Sequence, residues 1–194
     1  MKIKFRGLVL CAAAAVTLAG CGEDKPANVV ATGEAANAAA KATSQSFRPV
    51  PGHWDVTMTM KEYDVGGMPE GIKEAFQKQI GQATTIDACL TPEEAARDDG
   101  KFFVPEKKGC DFQKFSMIDG QFSAEMVCTS GSEKLNVKTS GTYSAESYDM
   151  TVNTQGEMNG QPMKMVMHVA GKRDGECTGN EFQGISDETS EQVD

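Results

Sequence analysis

Met163, Met165 and Met167 stand at alternate positions with His168 next. Three thioethers on one face of a strand are soft ligands suited to Cu(I). Methionine is also a flexible apolar filler of protein cores, and the same alternation elsewhere carries Trp54, Val56, Phe122, Val152 and Val169. His168 falls on the opposite face from the three methionines, so it does not complete their site within one strand. Core packing is the stronger reading of these methionines, and copper binding is the alternative. Glu93 and Glu94 do not form an acid and base pair, because neighbours one apart on a helix do not face each other. His53 and His168 could each act as a base, but neither has a nucleophile motif such as G-x-S-x-G beside it. The expectation is a protein that is not an enzyme and needs no cofactor.

The remaining reactive residues are cysteines. Setting aside Cys11 and Cys21 near the N-terminus leaves Cys89, Cys110, Cys128 and Cys177, at spacings of 21, 18 and 49 with no C-x-x-C pair. That pattern argues against a cysteine zinc site and for two disulfides in an exported domain, with three connectivities open. A three-residue loop at Ile118-Asp119-Gly120 would pair Met117 with Gln121 and put Cys110 opposite Cys128. Cys89 with Cys177 would follow by elimination. A shift of two residues in register would break this pairing.

These residues sit in a chain of 194, about one domain's worth, with 39% hydrophobic and 24% charged residues. The formal net charge of −9 argues against a nucleic-acid partner, since no basic patch offsets it. Lys2, Lys4 and Arg6 precede an apolar run from Leu8 to Ala19, a charged segment followed by one of secretory length and too short to span a membrane. Leu18-Ala19-Gly20-Cys21 resembles the lipobox of bacterial lipoproteins, which implies cleavage after residue 20 and lipidation of Cys21. Residues 1–20 are then a signal peptide. An Asp after the cysteine would resemble an inner-membrane retention signal. Gly22 stands there instead, so the expected location is the cell envelope, at the outer membrane facing the periplasm. Removal of the signal leaves 16 Lys plus Arg against 28 Asp plus Glu, a net charge of −12. Attachment to the membrane must come from the lipid on Cys21.

Residues 21–50 are rich in Ala and poor in aromatics, which reads as a flexible tether reaching about 30 Å on average and up to about 100 Å when straight. A short helix over Glu34 to Ala42 is the alternative, although isolated helices of that length are marginal in water. Residues 179–194 carry five acids and no basic residue and read as a disordered tail.

The folded unit expected between them is 51–178. Its dominant signal is alternation: Trp54, Val56, Met58 and Met60, then Phe122, Ala124, Met126 and Cys128, then Leu135 and Val137, then Tyr148, Met150 and Val152, then the Met163 to Val169 strand. Asp119-Gly120, Ser130-Gly131 and Asn159-Gly160 mark turns between them. The class is mainly β, an antiparallel meander of about seven strands, curved or partly closed into a barrel. Two short helices interrupt it. Pro69 opens one, Ile72, Phe76 and Ile80 recur along it, and Gly81 closes it, so it can lie over an open end of the sheet. Thr91-Pro92-Glu93-Glu94 is a capping box that opens the other, which ends near Arg97.

Pro51-Gly52 with Trp54, Met68-Pro69, Cys89-Leu90-Thr91-Pro92-Glu93-Glu94, Cys110 and Cys128 about a hairpin, the Met-rich strand, and Arg173 with Gly175 and Cys177 together resemble the bacterial envelope proteins of domain-of-unknown-function family 3617. His53 departs from that pattern, which carries mostly apolar residues there. The resemblance implies an exported disulfide-bonded domain and no activity. The expected role is a non-catalytic binding or interaction module, whose partners are the membrane, through the lipid on Cys21, and an apolar ligand or another envelope protein. Such a module needs an apolar cavity or an exposed apolar patch of several hundred Å².

Overall fold

The computed structural model describes residues 28–46, 48–96, 109–131 and 133–183. Its elements are β1 (Val29–Thr32), α1 (Glu34–Ser46), β2 (Gly52–Val65), α2 (Glu70–Gln79), β3 (Ala83–Leu90), α3 (Pro92–Ala95), β4 (Cys110–Ile118), β5 (Gln121–Ser130), β6 (Glu133–Ser144), β7 (Ser147–Met158), β8 (Gln161–Gly175) and β9 (Phe182–Gln183). The strands form one sheet in the order β1-β4-β5-β6-β7-β8-β2-β3-β9. β1 to β8 are all antiparallel to their neighbours, and β9 adds in parallel to β3. The sheet does not close. The mainly β meander with short helices is as expected, with nine strands in place of about seven.

The two additional strands are short terminal pieces that pair at the two edges. Both fall where the sequence suggested unfolded chain. Residues 28–46 are not tether: β1 pairs with β4, and α1 packs on β1 and β4 with Ala36 fully buried. Ala36, Ala39, Ala40 and Thr43 recur at helical spacing and turn one face of small residues towards Phe115 and Met117. A helix that would be marginal alone is stabilised by this docking. β4 supplies the join through a bulge at Gln113: the Phe112 N–H donates to Asn37 Oδ1 at 2.9 Å, and the Gly33 N–H donates to the Gln113 carbonyl at 2.9 Å. At the other end, Phe182–Gln183 form β9, and Glu181 just before it is buried. The folded unit therefore extends beyond 51–178 on both sides. The expected signal peptide, Cys11, Cys21, Arg97 and residues 184–194 lie outside the described residues.

Both disulfides have the favoured connectivity, with Cα separations of 5.5 Å for Cys89–Cys177 and 3.9 Å for Cys110–Cys128. The hairpin register that carries the second differs from the expected one. Asp119 and Gly120 have φ of 47° and 78°, which makes a two-residue turn pairing Met117 with Phe122 and not with Gln121. The bulge at Gln113 then shifts the register by one residue and restores Cys110 opposite Cys128.

The first expected helix is α2, with Pro69 at its N-cap, one residue earlier than expected, and Gly81 at φ 82° just beyond it. The capping box of α3 forms as expected: the Glu94 N–H donates to Thr91 Oγ1 at 3.2 Å, and the Thr91 N–H donates to Glu94 Oε2 at 2.9 Å. This accounts for Glu94 without catalysis.

If α1 is part of the fold, Ala36→Asp places an unpaired charge in the core and should lower stability by about 2–4 kcal/mol, while Ala42→Asp on the exposed side should stay within about 0.5 kcal/mol. Urea unfolding of the two variants beside the parent chain reads the difference, and equal small effects would show α1 undocked.

Candidate functional site: an apolar sheet face and a histidine–carboxylate cluster

Because directly opposed residues in a sheet share a face, the register places most apolar side chains of the long strands on one side, with Ile118, Val127 and Val166 on the other. On β8, Met163, Met165, Met167 and Val169 lie opposite Val65, Tyr63, Met60 and Met58 of β2, and opposite Gly156, Thr154, Val152 and Met150 of β7. A bulge at Lys61 keeps both halves of β2 in phase with β8. By the same register nine of the eleven methionines, all but Met1 and Met68, fall on this face. One end of it is a closed core under α1, where Phe115 meets Phe112 and Phe122 edge to face at 5.6 and 5.8 Å. At the other end α2 touches the sheet through Phe76, whose ring lies 4.5 Å from that of Tyr63. Between them Leu135, Val137, Val152, Met163, Met165, Met167, Met58 and Met60 are only half-buried, and Ile86 is exposed. α2 buries none of its residues and leaves Ile72 half exposed. A depression of about 510 Å³ lies on the opposite face, lined by polar residues such as Ser116, Ser123, Ser140 and Thr151.

The methionine strand thus sits where its spacing predicted. Met60 and Met167 are direct cross-strand partners, which puts their side chains roughly 5 Å apart at the Cβ. His168 is on the other face, where its Nε2–H donates to Asp149 Oδ1 at 2.9 Å, as its place one residue after Met167 requires.

The second group was not legible as a site. His53 and Asp55 face the same way on β2, and Asp87 on β3 lies directly opposite Asp55. His53 Nε2 is 3.1 Å from Asp55 Oδ1 and 4.0 Å from Asp87 Oδ1. Its Nδ1 is 3.0 Å from Oε1 of Glu181, whose side chain is 2% exposed. Glu181 also accepts from the backbone N–H groups of Thr178 at 2.6 Å and Gly179 at 2.7 Å. The Thr178 N–H is the leading cause that outweighs desolvation, with the Glu181 N–H, the Thr178 hydroxyl and the Gly179 N–H adding, and Glu181 is held down to about 2. Desolvation pulls His53 down, but the hydrogen bond and charge of Asp55, joined by those of Glu181, hold it above its ordinary value of 6.5. The Cys89–Cys177 bridge brings the Glu181 segment to β3, so partners 128 residues apart meet.

Around this cluster the motif residues at 51–54 and 173–177 are structural. Arg173 Nε donates to the Pro51 carbonyl at 2.7 Å, and Trp54 Nε1 donates to the Val50 carbonyl at 3.1 Å. A Cβ on Gly52, where φ is 139°, would meet the Gly175 carbonyl at 2.2 Å, so only glycine fits there. Tyr148 stacks on Trp54 at 6.0 Å across Gly171, where a Cβ would strike the tyrosine ring.

These features define a class: an open, one-faced antiparallel sheet with terminal elements docked at its edges and two nested disulfides. The chain belongs to the family described as protein of unknown function (DUF3617), whose model matches residues 49–177. No curated protein and no solved structure matches it. No helix among the described residues is long and apolar enough to cross a membrane.

The cluster sets a pH dependence with two signs. Glu181, depressed on folding, adds stability that is full above 4.5 and is lost as pH falls towards about 2. His53, raised on folding, adds stability that is full below 6.5 and is lost as pH climbs through its folded value. Denaturant unfolding across pH should show both slopes, and Glu181→Gln should remove the acid one and reduce the other. An unchanged profile would mean Glu181 does not hold its charge in the fold.

Proposed function

We propose that this chain is a lipid-anchored protein of the bacterial cell envelope, at the periplasmic side of the outer membrane, that binds acyl chains of membrane lipids on its apolar sheet face and catalyses nothing. The observation that carries this reading is the half-buried stretch of β2, β8, β7 and β6 between the two helices. A soluble domain rarely exposes a contiguous apolar surface of this kind unless it binds something there. Unbranched thioether side chains adapt to flexible apolar ligands better than branched ones. Lipid is also the nearest apolar material. With residues 28–46 folded, six residues lie between Cys21 and Asn28, seven residue steps with a reach of at most about 24 Å. A lipid on Cys21 would hold the sheet close to the bilayer surface.

Copper binding by Met163, Met165 and Met167 is the second reading, favoured by the direct pairing of Met167 with Met60. One set of titrations separates the two. The full chain is titrated with a dansyl-labelled fatty acid and, anaerobically, with Cu(I), beside Met165→Glu and a Met163→Leu, Met165→Leu, Met167→Leu triple variant. Leucine keeps apolar volume and removes sulfur. Acyl binding should saturate, weaken roughly tenfold or more in Met165→Glu, since a buried carboxylate opposes the ligand by more than about 1.4 kcal/mol, and persist in the triple variant. Stoichiometric Cu(I) binding lost in the triple variant, with no acyl binding, would put copper in its place. Failure of both ligands would overturn both readings.

A further inference from the structure

His53, Asp55 and Asp87 each offer one ligand atom, and those atoms lie within 4.8 Å of one another. The geometry points to a divalent transition-metal site on the polar side of the sheet, with His53 Nε2, Asp55 and Asp87 as ligands to Zn²⁺ and Glu181 as the positioning residue behind the histidine. It lies on the face opposite the methionines and is independent of the acyl-chain reading.

Three features support it. Asp55 and Asp87 are direct cross-strand partners, an opposition of like charges that destabilises a sheet unless a cation lies between them. Zn²⁺ binds imidazole nitrogen and carboxylate oxygen at about 2.0–2.2 Å, which at tetrahedral angles separates ligand atoms by about 3.3 Å. The Nε2 to Asp55 distance of 3.1 Å already matches, and the Asp87 carboxylate, 66% exposed, is free to close the remaining gap from 4.0 Å. Glu181 completes the pattern. Its buried carboxylate lies 3.0 Å from Nδ1 of His53, so a bound ion would displace the Nε2 proton now shared with Asp55 while Nδ1–H stays on Glu181, as orienting carboxylates hold metal-bound histidines. With three protein ligands the ion keeps an open position to solvent. The site ties β2 and β3 to the C-terminal segment at the edge of the sheet.

The test is calorimetric titration of the full disulfide-bonded chain with ZnCl₂ near neutral pH, with thermal unfolding in parallel. One ion per chain should bind and raise the melting temperature. His53→Leu and Asp87→Asn should each lose binding, His53→Leu also lowering the metal-free melting temperature because buried Glu181 loses its partner, and His168→Leu should bind as the parent does. Glu181→Gln should weaken binding roughly 10–100-fold, and the visible spectrum of bound Co²⁺ should change in it, because a freed imidazole alters the ligand geometry and a purely structural role for Glu181 would not. Absence of binding by the parent chain, or stoichiometric binding that survives in His53→Leu, would overturn the site and leave His53 as an ion-paired structural residue.

Discussion

The structure depends on a single register constraint: every long strand must keep most of its apolar residues on the same side of a sheet that α1 and α2 cover only at the ends. A slip of one residue in any pairing would turn a whole strand inside out. Two-residue turns set the phase, with Asp119-Gly120 and Asn159-Gly160 both in the left-handed region that such turns require. Bulges at Gln113 and Lys61 then correct it where strand and turn disagree. The bulge at Gln113 does more than adjust phase. The groups it takes out of the ladder are those that bind Gly33 and Asn37, so an irregularity in β4 becomes the docking point for the N-terminal segment.

Much of the fold was legible in the sequence, for reasons that particular elements make plain. Alternation identified β2, β5, β7 and β8 because each has one face in the core and one in water. The capping box at Thr91 and Glu94 is a local structure and was read correctly from four residues. β1 and α1 were misread because their stability is not local. A four-residue strand and an alanine-rich helix have little to hold them alone, and only Phe115 and Met117, some eighty residues on, supply the surface they need. The spacing of Ala36, Ala39, Ala40 and Thr43 was the available signal, disguised because small side chains carry little apolar weight.

The two candidate sites divide along the same line. The methionines share a strand and its neighbours, so their common face follows from periodicity, although how far that face stands open does not. His53 has its partners two residues away, across a strand pair, and in a segment that looked like an acidic tail. No spacing along the chain announces that group. The motif residues nearby, Gly52, Trp54, Arg173 and Gly175, hold backbone carbonyls and close approaches, so their presence speaks for the fold and carries no information about a ligand.

The disulfides are nested, with Cys110–Cys128 inside the span closed by Cys89–Cys177. A chain oxidised as it leaves a translocon N-terminus first exposes Cys89 before any other of the four, and the next thiol to emerge is Cys110, the wrong partner. The correct bond waits for Cys177, which arrives last. For an exported chain, vectorial oxidation would therefore favour a misbridged intermediate, and maturation would call either for rapid closure of the β4–β5 hairpin to claim Cys110 or for a disulfide isomerase to undo the first bond made.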